Sequence, residues 1–532
     1  MKRYKATFAG RIVLFAVIIA IVIGCVAAVS YFLPSNDNID ENVNTVETNK
    51  TTNKNTEKTE VKKPTATTNN KTDTENLTIN LSLDEWVGWE TILYANGGEF
   101  ETTKGSIYDE LGVDVKIHII NDAEASSNAL IKGDLNAAGY TLNRTAFLSN
   151  KFANAGLDIV MPVFTNYSNG GDGIIALTDI TSIEDLVDAK IGVPKFSEAQ
   201  SMVVWFVNNS DLTDAQKKTI IDNLVLLDDA EQTGLAFFAG SLDVAATWQP
   251  YLFNAEASTN SHILFDTSAS NKLIMDGIVF RADFAEAHPE VVSKFIEGIF
   301  IALEEYESNF DTLRNTMPMF AGMSDEEIAA TRMDAGMMDY AANIKALEDD
   351  CPIVYANMCD VWESIGETVN RSIGATLFDT SYVAALSDKY SSIGVTSSKT
   401  VEITEEQRTE ALDIPSMLTK SCTIEFYPDT AKFMNNAEAA AILDEFVEMA
   451  KVLDGTMIQI EGNLNFDGPI YSGDALSTSR AKTVMNYFIA NGIDANRIIV
   501  VGNGNSKMLV DPSSGNTQSN RRTDIFFKTI GA

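Results

Sequence analysis

Residues 77–89 read Leu-Thr-Ile-Asn-Leu-Ser-Leu-Asp-Glu-Trp-Val-Gly-Trp, a short apolar run followed by an acidic pair and two tryptophans. The run at 77–83 predicts a β-strand. Further short apolar runs that predict strands follow at residues 113–120, 159–163, 173–177, 190–193 and 225–227. Segments with the apolar spacing of helices lie at residues 199–208, 214–223 and 289–309. Strands that alternate with helices predict an α/β fold, in which ligands bind beyond the carboxyl ends of strands.

The composition limits the classes of function. With 532 residues, 45% hydrophobic and 21% charged, most of the chain is expected to fold, into about two to four domains. The 39 basic and 75 acidic residues give a formal net charge of -36. Because so acidic a surface repels polyphosphate backbones, we expect no nucleic-acid partner. Of the four cysteines, only Cys351 and Cys359 are near enough in sequence to suggest a local disulfide.

The N-terminus has the pattern of a membrane segment. Basic residues between positions 2 and 11 precede residues 12–33, which hold no charged side chain. As a helix this run would reach about 33 Å, enough to cross a hydrocarbon core of about 30 Å. Because basic flanks stay on the cytoplasmic side, we expect residues 1–33 to form a cytoplasmic tip and a transmembrane signal anchor of a single-pass cell-membrane protein. The bulk of the chain is then extracytoplasmic.

Two alternatives stay open for this segment. Residues 22–25, Val-Ile-Gly-Cys, resemble the lipobox of bacterial lipoproteins, which implies a lipid on Cys25, although the apolar residues 26–33 are atypical of that family. A cleaved signal peptide is the other alternative, but its apolar region is usually only about 7–15 residues long. All three place the rest of the chain outside. Residues 34–76, rich in Asn, Thr, Lys, Glu and Asp, predict a disordered linker.

Several short segments carry a family resemblance across residues 77–394. In chain order they are residues 86–89 and 95–98, 133–138 with Thr141, 167–173, 185–186 with 190–193, 239–250, and 280–281 with 288–290. Together they resemble the solute-binding proteins of nitrate, sulfonate and taurine ABC importers, the periplasmic binding proteins of type II. The resemblance implies two lobes around a cleft, with lobe 1 at about 77–166 and 277–394 and lobe 2 at about 172–266. It also implies two crossings between lobes, near residues 166–173 and 265–278.

Candidate ligand-binding residues lie at or near the ends of these strands. They are Trp86, Trp89, Thr141, Arg144, Ser168, Gly170, Asp172, Trp248 and Asp276. The paired tryptophans offer flat apolar walls in a solvent-facing loop. Backbone N–H groups of glycine-rich turns and helix N-termini can hold an oxyanion or zwitterion without a full counter-charge, so we expect a small anionic or zwitterionic ligand. Core packing for the tryptophans, a hinge turn for residues 170–173 and a solvated surface position for Arg144 stay open as alternatives.

After a polar linker at residues 395–420, residues 421–532 predict a separate α+β domain. Strands are predicted at residues 422–427, 457–461, 497–502 and 523–528, and helices at 438–453 and 475–490. Arg480 borders the buried stripe of the second helix, where an unpaired cation is costly, so we expect an anion to meet it.

The motifs of this domain are Leu-Ser-Thr-Ser-Arg-Ala at 476–481, Gly-Ile at 492–493, Arg-Ile at 497–498, Gly-Asn-Gly at 502–504 and Asn-Arg-Arg at 520–522. They resemble the OmpA-like peptidoglycan-binding family over about residues 423–528. The resemblance implies that Arg480 binds the carboxylate of diaminopimelate in a wall peptide, a role that suits a guanidinium fork. The family's partner Asp falls on Asn465, which carries no charge, so Asp467 is a possible substitute. Asn520 and Arg521 complete the expected peptidoglycan site.

These patterns predict a membrane-anchored solute-binding protein of an ABC importer, tethered to peptidoglycan, with a permease as a possible partner. The alternative is a sensor or a membrane-to-wall tether with a vestigial cleft and no transport. An enzyme is not expected, because the chain has three histidines and lacks the zinc-protease, nucleophile-elbow and phosphate-loop motifs. No cofactor is expected, and no metal site, because no His/Cys cluster has ligand spacing.

Overall fold

A computed structural model describes most of the chain from Leu77 onward. The described residues are 77–270, 272–305, 313, 317, 320, 323–390, 404, 412, 416–465, 469, 475–514 and 517–529. The predicted transmembrane anchor at 1–33, the linker at 34–76 and most of the linker at 395–420 lie outside them. Among the described residues, no helix combines the length and the apolar character needed to span a bilayer.

The described residues before position 391 contain two β-sheets. Their strands are β1 (Thr78–Leu83), β2 (Asp114–Ile119), β3 (Ala137–Thr141), β4 (Ile159–Ser168), β5 (Asp172–Leu177), β6 (Ile191–Pro194), β7 (Val225–Leu227), β8 (Val244–Trp248), β9 (Ser261–Asp266), β10 (Met275–Arg281) and β11 (Ala335–Met337). The first sheet has the order β11-β4-β10-β3-β1-β2, and the second has the order β7-β6-β8-β5-β9. The α/β fold predicted from the alternation of strands and helices is confirmed.

Helices cover both sheets. They are α1 (Glu90–Ala95), α2 (Ile107–Leu111), α3 (Ala123–Lys132), α4 (Leu142–Ala155), α5 (Glu198–Asn209), α6 (Asp214–Asp222), α7 (Ala230–Phe238), α8 (Tyr251–Ala257), α9 (Ala282–Ala287), α10 (Pro289–Glu305), α11 (Asp325–Met333), α12 (Tyr340–Lys345), α13 (Cys351–Ser364), α14 (Gly374–Leu377), α15 (Ser381–Ala384) and α16 (Ser387–Tyr390). The apolar spacing predicted for α5, α6 and α10 follows their buried faces. Each sheet with its helices forms one lobe.

The chain passes between the sheets twice. β4 belongs to the first sheet and β5 to the second, and the chain returns between β9 and β10. The two crossings are bonded to each other, because the hydroxyl groups of Ser168 and Thr267 lie 2.7 Å apart and the backbone N–H of Gly170 donates to Thr267 Oγ1 at 2.9 Å. Gly170 has a φ of +100°, a conformation that favours glycine. Both connections of the lobes therefore meet in one hydrogen-bonded hinge.

Side-chain caps start the helices that border the space between the sheets. Thr141 accepts from the backbone N–H of Arg144 and begins α4, and Ser197 accepts from Gln200 and begins α5. A hydroxyl at this position satisfies an amide that the helix leaves without a partner. As a result, residues of the first turns of α4 and α5 are held at fixed positions close to the strand ends.

The C-terminal residues form a separate sheet with two helices. The elements are β12 (Leu418–Cys422), α17 (Asn436–Val452), β13 (Thr456–Asn463), α18 (Ala475–Ala490), β14 (Ile498–Gly504) and β15 (Thr523–Thr529), and the strand order is β12-β15-β13-β14. The strand predicted at residues 422–427 is wrong. The strand ends at Cys422, because Leu418–Cys422 pair with β15, whereas Phe426 makes only an isolated bridge with Phe433.

A turn of this C-terminal part touches the second crossing between the lobes. The backbone N–H of Gly455 donates to the carbonyl of Ala269 at 3.1 Å, and the Ser270 hydroxyl donates to the carbonyl of Val452. A side chain at Gly455 would place its Cβ 2.6 Å from the carbonyl oxygen of Ser268. Only glycine permits this close approach of the two backbones.

The local disulfide suggested for Cys351 and Cys359 is wrong. Both are free and buried, and both lie on α13. Eight residues of helix separate their backbones by about 12 Å, which is too far for a disulfide. Burial raises the pKa of both thiols, that of Cys359 to about 11, so they are packed in the protonated form.

Candidate functional site

Charged side chains from both lobes meet at the strand ends. Asp84 directly follows β1, Thr141 ends β3, and Asp276 lies opposite Thr141 on β10. From the second lobe, Asp172 starts β5 and Glu198 begins α5 after β6. Thr141, Asp172, Glu198 and Asp276 are all less than one-tenth exposed. The fold thus buries a polar cluster in the cleft between the lobes.

Arg144 is the cation of this cluster, and carboxylates from both lobes hold it. Its Nη1 lies 3.3 Å from Asp84 Oδ2, and its Nη2 lies 3.1 Å from Glu198 Oε2. The other oxygen of Glu198 accepts from the Thr141 hydroxyl at 2.8 Å. Although burial acts to lower the pKa of Arg144, the carboxylates of Glu198 and Asp84 raise it above its ordinary value. Arg144 is therefore a paired internal cation and not the solvated surface residue of the alternative interpretation.

These bonds also join the two lobes across the cleft. Glu198 belongs to the second lobe, whereas Arg144 and Thr141 belong to the first. A further bond at 2.8 Å runs from the side-chain amide of Asn143 on α4 to the Ser201 hydroxyl on α5. The structure describes a closed cleft whose lobes are held together by their own side chains.

Asp172 and Ser168 stand at the hinge side of the cluster. The Ser168 hydroxyl donates to Asp172 Oδ2 at 2.7 Å. Burial raises the pKa of Asp172 to about 7, the Ser168 bond acts to lower it, and Glu198 and Asp84 act to raise it. Asp172 is therefore close to half protonated at neutral pH. Ser168 and Gly170 take part in the hinge, as the alternative interpretation of residues 170–173 described.

Asp276 differs from the other carboxyl groups because its side chain makes no hydrogen bond or ion pair with any described residue. It is only 5% exposed. Burial raises its pKa well above the ordinary value, and the negative charges of Asp84, Glu198 and Asp172 raise it further. A buried carboxyl group without a partner is costly. Among the described residues of the cluster, the buried Nε of Arg144 also has no hydrogen-bond partner.

The three predicted tryptophans have different surroundings. Trp86 is half-buried at the hinge, where its Nε1 donates to Asn166 Oδ1 at 2.9 Å and its ring lies over Gly171. Trp248 is 42% exposed and lies directly opposite Asp172 in the register of β5 and β8. Trp89 does not line the cleft as predicted. It is 1% exposed in the core of the first lobe, and its Nε1 donates to Asp84 Oδ1 at 2.7 Å.

Sequence reasoning missed three residues of the site. Asp84 and Glu198 neutralise Arg144, and Thr267 joins the two crossings. The sequence could have indicated Asp84, because it directly follows the strand predicted at residues 77–83. Glu198 directly precedes the helix predicted at residues 199–208, and site residues of α/β folds often lie at such strand-to-helix junctions. Among the described residues, no three His, Cys, Asp or Glu side chains are placed to hold a metal ion.

In the C-terminal part, Arg480 lies on α18 and is partly exposed. Its Nε donates to the carbonyl of Thr430 at 3.0 Å, and its guanidinium carbon lies 4.9 Å from the centre of the Phe426 ring. On the next turn of the helix, the Thr483 hydroxyl donates to the carbonyl of Ala431. The loop at residues 426–431 therefore packs along α18, and its Phe426 ring lies within cation–π distance of the guanidinium.

The other predicted wall-binding residues divide into three kinds. Asn520 is buried; its Nδ2 donates to Asn465 Oδ1 at 3.0 Å, while its own oxygen accepts from the backbone N–H groups of Leu509 and Val510. Asn520 thus orders the loop beside Asn465. Arg521 is exposed. Asp467 lies outside the described residues.

Comparison with protein families identifies the C-terminal part of the chain. Residues 425–522 match the model of the OmpA family. The C-terminal domain is an OmpA-family domain. This confirms the resemblance drawn from the motifs around Arg480 and at residues 520–522. No curated protein matches the chain.

Solved structures similar to the chain include periplasmic binding proteins. The periplasmic aliphatic sulphonate-binding protein SsuA of Escherichia coli has 13% identity and a TM-score of 0.43, covering 57% of this chain and 98% of that one. The alkanesulfonate-binding protein SsuA of Xanthomonas axonopodis pv. citri, bound to MOPS, has 15% identity, a TM-score of 0.43 and the same coverage. The periplasmic nitrate-binding protein NrtA of Synechocystis PCC 6803 has 10% identity and a TM-score of 0.44, covering 59% and 89%.

Proposed function

We propose that the chain is an extracytoplasmic solute-binding protein of the ABC-importer type, held on peptidoglycan by its OmpA-family domain. The observation that carries the proposal is the buried polar cluster at the strand ends, to which both lobes contribute around a double crossing. Two lobes joined at a hinge can enclose a small molecule and bury most of its surface. Binding and release need no catalytic group.

The cleft is tested by a solute screen on the full chain. Trp86 lies at the hinge, and Trp248 lies opposite Asp172. A bound solute is therefore expected to change the intrinsic tryptophan fluorescence. It is also expected to raise the midpoint temperature of unfolding, because it binds only the folded chain. Amines, amino acids, sulfonates and inorganic anions form the panel. If no class changes either signal in folded protein, the solute-binding function fails. The remaining candidate is then a tether between membrane and wall, which the lobe-to-lobe bonds of Glu198 favour.

The OmpA-family domain supports the second part of the proposal. A guanidinium positioned by the Phe426 ring and the Thr430 carbonyl can meet a carboxylate of a wall peptide through N–H bonds. Asn465, bonded by Asn520 beside it, offers an uncharged acceptor for an ammonium group. We propose Arg480, Asn465 and Arg521 as wall contacts, with Asn520 as the residue that orders the loop.

Pelleting with purified sacculi tests this assignment. We expect Arg480→Ala to reduce co-sedimentation of the full chain at least tenfold, since a charge-assisted pair contributes about 1.5–3 kcal/mol. Lys482→Ala is the matched control, because Lys482 is exposed on the same helix and its loss removes the same charge. Equal pelleting of both variants would exclude Arg480 from wall binding.

Membrane anchoring is the third part of the proposal, and it is supported by the uncharged run at residues 12–33. Fractionation of cells tests it. An anchored chain stays in the membrane fraction after alkaline washing, and N-terminal sequencing shows that residues 1–33 are still present. A Cys25→Ala variant that is released into the soluble fraction would instead indicate a lipoprotein, and a chain that starts after residue 33 would indicate a cleaved signal.

A further inference from the structure

The cleft of the two-lobed domain carries an excess of negative charge. Four carboxyl groups surround a single guanidinium, and Asp276 experiences the charges of all the others. The groups that face Asp276 are Asp84 after β1, Arg144 on α4, Asp172 on β5 and Glu198 on α5. A ligand that enters this space therefore meets a predominantly negative field.

Arg144, the residue that would recognise an anion, is already committed. One of its terminal nitrogens bonds Asp84 and the other bonds Glu198. An anionic ligand that took a terminal nitrogen would displace one of these carboxylates, and the displaced group would lie beside the ligand with its charge uncompensated. The buried Nε, which has no hydrogen-bond partner among the described residues, is a further donor, but an anion there would still lie close to both carboxylates. Like charges at such short distances inside a protein repel strongly. The anionic ligand expected from the sequence motifs is thus disfavoured by the geometry.

Asp276 indicates where a ligand group of opposite charge would sit. It is 5% exposed and its carboxyl group has no hydrogen-bond or ion-pair partner among the described residues. Its cross-strand neighbours are Thr141 on β3 and Asn166 on β4, and directly opposed residues share one face of a sheet. Thr141 bonds Glu198 on that face, and Asn166 bonds Trp86. The unpartnered carboxyl group therefore points into the cleft.

Aromatic surface lies next to the same carboxyl groups. Trp86 is bonded to the cross-strand neighbour of Asp276, and Trp248 is the cross-strand neighbour of Asp172. Indole faces attract ammonium groups, and carboxylates next to them supply the remaining counter-charge. This combination suits an organic cation better than a bare metal ion, which takes oxygen ligands and gains nothing from apolar walls.

We infer that the cleft binds a small organic cation, a solute whose protonated or quaternary amine lies beside Asp276 and Asp172. The inference rests on the proposed solute-binding function and specifies the class of its ligand. Burial and the neighbouring carboxylates raise the pKa of Asp276 in the closed lobes, and a cation beside it would stabilise the ionised carboxylate and supply its counter-charge. The Arg144 pairs stay intact and set the position of the neighbouring carboxylates.

Titration calorimetry on the full chain tests the ligand class. The cationic probes are choline, ethanolamine and putrescine; dimethylbutanol is the uncharged isostere of choline, taurine is the zwitterion, and ethanesulfonate and nitrate are the anions. We expect binding of at least one cation, with the uncharged isostere at least tenfold weaker. Asp276→Asn, which keeps the shape of the side chain, is expected to weaken the cation at least tenfold. Asp179→Asn, an exposed position of the second lobe, is the matched control and should bind as the original chain does.

The remaining outcomes separate failure of the inference from failure of the proposed function. Tight binding of an anion that Asp276→Asn leaves unchanged or improves overturns the cationic ligand and retains a solute-binding cleft. Binding of Mg²⁺ or Ca²⁺ alone, lost in Asp276→Asn, overturns the organic cation in favour of a metal ion. No binding by any probe overturns both the inference and the solute-binding function.

Discussion

Arg144 in the cleft and Arg480 in the OmpA-family domain are both arginines on helices at proposed binding sites, but their side chains make different kinds of contact. Arg144 is bonded to two carboxylates from two lobes. Arg480 lies over an aromatic ring and donates to a backbone carbonyl. The first arginine has its charge neutralised by the chain itself, whereas the second contacts a ring and a backbone carbonyl of its own domain. An arginine near a strand end is therefore not by itself a ligand contact, because the chain can supply its counter-charge.

The largest expected effect is on stability. Arg144→Ala leaves Asp84 and Glu198 buried without their cation, which we expect to lower the free energy of unfolding of the two-lobed domain by about 3–5 kcal/mol. Arg480→Ala should lower the stability of its own domain by only about 1 kcal/mol, because the side chain is partly exposed. Urea unfolding followed by tryptophan fluorescence measures the first, and circular dichroism the second. Equal losses in both variants would contradict the comparison.

A smaller effect is expected from pH. The pKa of Asp172 is about 7 when folded, above its ordinary value of 3.8, so the folded chain binds the proton more tightly than the unfolded chain does. The stability that this group contributes is present below about pH 4 and is lost as the pH rises through about 7. We expect the free energy of unfolding of the two-lobed domain to decrease as the pH rises from 5 to 8, by up to about 1.4 kcal/mol per pH unit. Urea unfolding at a series of pH values measures this.

The Asp172→Asn variant isolates this contribution. Its stability should vary less with pH than that of the original chain, and Asp179→Asn should leave the pH dependence unchanged. Asp276, Asp84 and Glu198 face the same space, and the raised pKa values of Asp276 and Asp84 give a residual dependence of the same sign. A stability that instead rises with pH in this range would show that Asp172 is ionised in the folded chain.

The smallest effect concerns Asn465. Replacement by Asp restores the charged partner that the family pattern has at this position, and an acidic side chain can still accept the bond from Asn520 Nδ2. We expect Asn465→Asp to strengthen sacculus binding about two- to fivefold, the value of one exposed charge contact. Sedimentation at two ionic strengths measures it, since the gain should shrink at high salt. No gain at low salt would place the wall ammonium elsewhere.

The alternation of strands and helices could be predicted from the sequence, and so could the choice of Thr141 and Asp276 as candidates, although β3 and β10, which carry them, are not among the predicted strands. The roles of Arg144 and Trp89 could not. The partners of Arg144 lie 60 and 54 positions away in the chain, and Glu198 meets it only when the lobes close. Trp86 and Trp89 look equivalent in sequence, but the 3-10 turn Val87–Trp89 sends one ring to the hinge and the other into the core. In the OmpA-family domain, the motif at residues 476–481 predicts the helix that carries Arg480, whereas the contact of Arg480 with Thr430, which is 50 positions away, could not be predicted from it.

The close backbone approach at Gly455 has a mechanical consequence. The backbone N–H of Gly455 donates to the carbonyl of Ala269. Ala269 lies in the second of the two crossings that connect the lobes, about which the lobes would rotate. If the OmpA-family domain is held by the cell wall as proposed, tension on it would act on that hinge connection, and rotation of the lobes would in turn tilt the domain.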